Sequence, residues 1–197
     1  MNDGARVLNL WPRVFVILAT ALALCTTYTD AKARQQKQKP TVETADLAKR
    51  LHAQVNKERK RQGLSALAWS EALSRIAMQH SRDMANRNYL SHESPEGKGF
   101  SYRYQQGGYV CEIRAGMMVY TGAENIALSH LYKSMTTKDG IPYYNWNTAQ
   151  EIVQRAVDGW MNSPGHRENI LAPYWRQEGI GIEIDPGNKI YITQNFC

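Results

Sequence analysis

Apolar positions recur at helical spacing soon after position 43. Leu47, Leu51 and Val55 stand four apart with charges between them, which predicts an amphipathic helix, and Gly63 is placed to end it. The stretch "LSALAW" leads to Ser70, a residue type suited to the N-cap of a second helix. On that helix Leu73, Ile76, Ala77, His80 and Met84 share one face, so His80 is expected in the core with its ring satisfied. His52, next to Leu51, is assigned no role. A third helix is predicted from Asn147 or Thr148, burying Ile152, Val153, Ala156, Val157 and Trp160. It stops at Ser163-Pro164-Gly165, because proline disfavours helix in the residue before it. The period then changes to two. Ile180, Ile182 and Ile184 alternate on one arm, Ile190, Ile192 and Phe196 on the other, and "DPGN" between them is a good turn sequence. This predicts an antiparallel hairpin with one apolar face.

Residues 89–146 are rich in Gly, Ser and Tyr and show no long period. Loops, short helices and a strand around positions 110–120 are expected there. Helices that must cover a sheet face imply a layered α+β domain. No internal repeat is visible.

With 197 residues the chain can build one ordinary domain with a real core. Residues 1–31 follow the order of a secretory signal peptide: Arg6 and Arg13, an apolar run over 14–24, then small and polar residues with Ala31 or Ala33 as cleavage positions. The run is 11 residues long, whereas a membrane span takes about 20, which favours a cleaved leader over a retained anchor. Cys25 follows Leu24, where a lipoprotein site would have a small residue. Export leaves Cys111 and Cys197, and two cysteines in an exported chain are most simply one disulfide.

The net charge of +6 is unevenly spread: residues 1–31 balance to zero, 32–61 carry +7, and 62–197 carry −1. Residues 32–42 read as a basic, disordered linker that serves as a solvated tether or touches an anionic envelope or membrane surface. The domain is placed at 43–197. No basic stripe is interleaved with aromatics, so a nucleic-acid partner is not expected.

His92 in "LSHESPEG" and His166 in "SPGHR" both follow a helix end, in segments stiffened by Ser-Pro, where side chains serve clefts more often than cores. Glu124 in "TGAENIA" sits among small and apolar residues that suggest burial, and a buried carboxylate needs a partner. Two imidazoles and a carboxylate would suit a divalent ion such as zinc with a vacant position. Yet the three lie in separate segments with no HExxH spacing, and Glu124 could equally hydrogen-bond a helix end or a histidine. His130 is expected to be exposed.

Four stretches in this order, the region from "LHAQVNKERKRQG" to "LSHESPEG", then "GAENIA", "WMNSPGHRENIL" and "GIGIEI…YITQNF", resemble the CAP superfamily, closest to its short prokaryotic branch, over about residues 43–197. The resemblance implies a three-layer α-β-α sandwich with a central antiparallel sheet. It also implies a cleft lined by two histidines and two acidic residues, which in some members holds a divalent cation. His92 and His166 match the histidines and Glu124 the first acid. The second acid, three positions after the helix tryptophan, is Ser163 here, so one carboxylate is missing and the metal expectation rests on His92 and His166.

Three functions follow. The first is a secreted, extracellular or periplasmic, module binding a lipid, glycan or protein ligand in the cleft, with the tyrosines between positions 102 and 144 and Trp146 either lining a groove or packing under loops. The second is a metal-dependent or acid–base hydrolase, with His92 or His166 as base, Glu124 orienting it, and Ser163 as nucleophile or only a turn residue. The third is an envelope-associated interaction protein held by the basic tail.

Overall fold

The computed structural model describes residues 38–197; the expected leader and most of the expected linker lie outside the described residues. Residues Pro40–Cys197 form one compact unit, and Val42, counted in the linker above, packs against its core.

Helix α1 (Thr44–Arg61) buries Leu47, Leu51, Val55 and Arg59, every fourth residue, while Arg59, Lys60 and Arg61 complement the negative end of its dipole. Gly63 closes it at φ +71°, a conformation glycine adopts without steric penalty. Strand β1 (Ala68–Trp69) is followed by helix α2 (Glu71–Arg87), whose N-cap Ser70 accepts a hydrogen bond from the Leu73 amide. Short helix α3 (Phe100–Gln106) and the hairpin of β2 (Ile113–Ala115) and β3 (Met118–Tyr120) come next. Then follow β4 (Ala123–His130), the hairpin β5 (Tyr132–Lys138) and β6 (Ile141–Trp146), helices α4 (Ala149–Asn162) and α5 (Pro164–Leu171), and strands β7 (Gln177–Ile184) and β8 (Lys189–Phe196).

The central sheet runs β1-β7-β8-β4. The three long strands are antiparallel as expected, and the two-residue β1 adds a parallel edge against Gln177 and Glu178. Helix α2 covers one face; α1, α4 and α5 cover the other, giving three layers. The alternation of β7 shows why. Ile180 and Ile182 join the core under α1 and α4, while Gly179 and Gly181 let α2 lie directly on the strand. A Cβ at Gly181 would stand 2.0 Å from the Met78 nitrogen. Ser74 and Ser81 of α2 donate to the carbonyls of Ile180 and Gly181, locking the helix to the strand.

Two expectations need correction. The region after position 120 is not loops but three strands. In β4, Glu124 and Asn125 are buried on opposite faces, so the first half of the strand shows no polar–apolar alternation, while Leu128 beyond it is exposed. The β5–β6 hairpin was signalled by Asp139-Gly140, both at positive φ as a tight two-residue hairpin turn demands. The second correction concerns position 163. The helix does break there, but Pro164 stands at N1 of a new helix, so His166 occupies the first turn of α5 and not a free turn. The expected disulfide is present: Cys111 and Cys197, with Cα atoms 5.6 Å apart, tie the end of the sheet to the segment before β2.

Candidate functional site

Glu124 is the centre of the site. Its register opposite Asn195 turns it toward α2, and its side chain is 1% exposed. His92, in the loop after α2, donates from Nδ1 to Glu124 Oε1 at 2.9 Å. Arg103 of α3 donates to Oε2 at 2.6 Å. The same guanidinium reaches the carbonyls of His92 and Lys98 at 3.0 and 2.8 Å, so one side chain neutralises the buried carboxylate and ties down the loop that carries the histidine. With Nδ1–H held on the carboxylate, Nε2 is the ring nitrogen left for a further partner, and the ring is half exposed.

His80 is buried, as its place on the apolar face of α2 predicted, and donates from Nε2 to the Ser91 carbonyl. It also lies 4.0 Å from Glu124, beneath the cleft. Burial lowers its pKa despite the opposing pull of Glu124. His166 stands across the cleft, its ring centroid 6.3 Å from that of His92. Its pKa is lowered first by burial and then by His92. Ser163 joins α4 to α5; its side chain caps neither helix and makes no hydrogen bond to another described residue, so no Ser–His pair of the nucleophilic kind is formed. His92, Glu124, Phe100, Ser101 and Asn169 line a cavity of about 370 Å³. His166 and Ser163 line an adjoining groove of about 540 Å³ between β4 and α4.

A polar ladder supports this arrangement from the opposite face of the sheet. Asn169 of α5 donates to the Glu124 carbonyl and to Asn125 Oδ1. Asn125 donates to the His166 carbonyl and to Gln194 Oε1. Gln194 donates to Glu178, which is fully buried and accepts 2.6 Å away from His52 Nδ1 of α1. The side-chain links from Asn169 through Asn125 and Gln194 all donate in the direction of the Glu178 carboxylate. His52, assigned no role in the sequence, anchors this chain.

The expected ligand set is only partly assembled. His92 and Glu124 touch and His166 is near, but Arg103 occupies the carboxylate oxygen a metal would need, and a guanidinium at that distance opposes a dication. Among the described residues no group of three His, Cys, Asp or Glu side chains is set to hold a metal. A divalent ion would have two imidazoles as protein ligands, without Glu124. Arg103 was missed because an arginine in "SYRYQQ" reads as a solvated charge; the one signal available was the buried carboxylate's need for a partner. Of the aromatics proposed to line a groove, Tyr132 does so. Tyr104 is buried and donates to the Phe196 carbonyl, and Tyr144 stacks on Trp146 within its own hairpin. His130 lines the groove beside Tyr132. No helix among the described residues is long and apolar enough to cross a membrane.

The model of the CAP, cysteine-rich secretory protein family matches residues 52–196. The Bacillus subtilis (strain 168) protein YkwD is 32% identical over 143 residues, covering 72% of this chain and 43% of YkwD. The membrane protein YlbC of the same organism is 31% identical over 142 residues, covering 72% of this chain and 32% of YlbC. The chain thus spans less than half the length of either curated relative. Among solved structures, an extracellular protein containing an SCP domain from Bacillus anthracis str. Ames superposes with a TM-score of 0.58 at 26% identity, over 81% of this chain and 44% of that one. The family match runs from within α1 to the last residue of β8, taking in every strand of the central sheet and every side chain of the cleft: the chain belongs to the CAP family of cysteine-rich secretory proteins.

Proposed function

We propose that the protein is an exported binding module that takes a glycan, in preference to a lipid or a protein segment, into the cavity at His92. One observation carries this reading. The cavity wall offers the polar groups of His92, Ser101 and Asn169 beside a single aromatic ring, Phe100, the mixture of hydrogen-bond partners and one stacking face that suits a sugar better than an acyl chain. Binding of soluble cell-wall glycan fragments by calorimetry tests it. Affinity that falls about tenfold in both His92→Ala and Phe100→Ala supports the reading; heat that is absent for glycans but present for fatty acids overturns it.

The Glu124–His92 pair favours a second reading. A carboxylate fixing the tautomer of a solvent-facing imidazole is the arrangement of a general base, so the cleft could serve an acid–base hydrolase. Turnover of ester, peptide or peptidoglycan substrates that survives a chelator and disappears in His92→Ala would establish it. The metal-dependent alternative, with a divalent ion such as zinc held by His92 and His166, differs in that its turnover is lost with the chelator. A rise in melting temperature with millimolar zinc that is lost in the His92→Ala/His166→Ala protein supports the ion, and no rise in the wild type removes it.

Export to the extracellular or periplasmic space is part of the proposal and rests on the leader-like residues 1–31 and the disulfide. The basic segment over residues 32–42 is proposed to contact an anionic envelope surface. Retention on anionic vesicles that disappears at high salt, or on deleting residues 32–40, is the expected result.

A further inference from the structure

The groove between β4 and α4 contains a residue that folding does not account for. Gly159 lies in the interior of α4, where glycine is less favourable than alanine because it leaves the backbone more freedom to lose. Packing supplies no reason for it. A Cβ built there meets nothing within 4 Å, and its φ is not in the left-handed region. The missing side chain instead bares the helix backbone along one wall of a groove of about 540 Å³. A helical glycine with open space above it is where another molecule's atoms can come close to the main chain.

The chemistry of the walls is one-sided. Arg155 on α4 and Lys133 on β5 face the groove, His130 and His166 also line it, and no carboxylate is among the lining residues. Lys133 is partly neutralised by an ion pair with Glu151 at the start of α4. Arg155 has no ion pair among the described residues, so its planar fork is free for a two-oxygen acceptor. The floor between these charges is apolar, formed by Ala127 and Ala156.

We propose that this groove is a binding site for a small ligand that ends in a carboxylate or phosphate, its oxyanion on Arg155 with help from Lys133 and its body against the bare backbone at Gly159. The site adjoins the cleft at His166 but does not depend on it, since neither Arg155 nor Gly159 touches His92 or Glu124. The glycan reading can fail while this one stands, and the reverse.

The test is a titration of the purified protein followed by amide NMR, using phenyl phosphate and benzoate as probes and benzamide as the uncharged control. Saturable shifts at Gly159 and its neighbours with either anion, and not with benzamide, are expected, and the anion that binds more tightly identifies the head group. Arg155→Gln should weaken binding about tenfold, the loss of one charge-assisted pair. Gly159→Ala should raise the melting temperature and yet weaken binding, a combination that a purely structural glycine cannot produce. Equal binding of benzamide, shifts confined to other surfaces, or unchanged affinity in Gly159→Ala would each overturn the proposal.

Discussion

Replacing Arg103 by methionine is the most informative perturbation of the cleft. The substitution keeps the length of the aliphatic stem and removes the guanidinium from a carboxylate whose side chain is 1% exposed, while the arginine itself is 13% exposed. Removing one partner of a buried pair typically costs about 3–5 kcal/mol, because the remaining charge has lost its solvent and gained nothing in return. Here Glu124 keeps the His92 bond at 2.9 Å and has His80 at 4.0 Å, so the lower end, about 3 kcal/mol, applies. For a domain of this size that corresponds to about 6–12 °C in melting temperature. The two carbonyl bonds from Arg103 to His92 and Lys98 are lost as well, so the loop after α2 should exchange its amides faster. Urea unfolding of wild type, Arg103→Met, Glu124→Gln and the double variant gives the coupling directly. The double variant should be more stable than Arg103→Met, since the uncompensated charge is gone. A loss below about 1 kcal/mol in Arg103→Met, or simple additivity in the cycle, would refute the claim that this pair organises the cleft.

Gly181→Ala puts a Cβ 2.0 Å from the Met78 nitrogen; separating α2 from β7 should cost about 3 kcal/mol or more, read as a lower urea midpoint, whereas Gly159→Ala should not destabilise at all. Stability should fall as pH drops below 6.5, the ordinary histidine value from which burial lowers His80 and His166. The unfolded chain takes up those protons first, so the stabilisation is present above that value and is lost on acidification. Melting curves across this window should show a shallower slope in His80→Gln. Reducing the Cys111–Cys197 bond, which spans 86 residues, should cost up to about 4–5 kcal/mol on the chain-entropy account, visible as a lower melting temperature in reductant.

The stripes of α1, α2 and α4, the Ser70 cap, the stop at Ser163 and the C-terminal hairpin were legible in the chain, because each depends on residues within a few positions of one another. So was the disulfide, through a count of two. The pairing of Glu124 with His92 was anticipated only as a general need of a buried carboxylate, whereas the two histidines were legible from their places after helix ends, and the order of motifs matched them. What the tertiary structure alone decided is who answers that need. Arg103 answers it from α3, and His80, legible as a core position of α2, was not legible as its neighbour; Asn169 and the ladder from His52 to Asn125 brace the strand behind it, and nothing in the local sequence of Arg103 or of these residues distinguishes them from surface polar residues. Strand β4 was hidden for the same reason: where Glu124 and Asn125 are buried on its two faces, with each side chain engaged by neighbours, no alternation shows. Periodicity records only how much of a residue meets water along its own helix or strand. Which charge meets which is set by sheet register and helix docking, and those are properties of the folded whole.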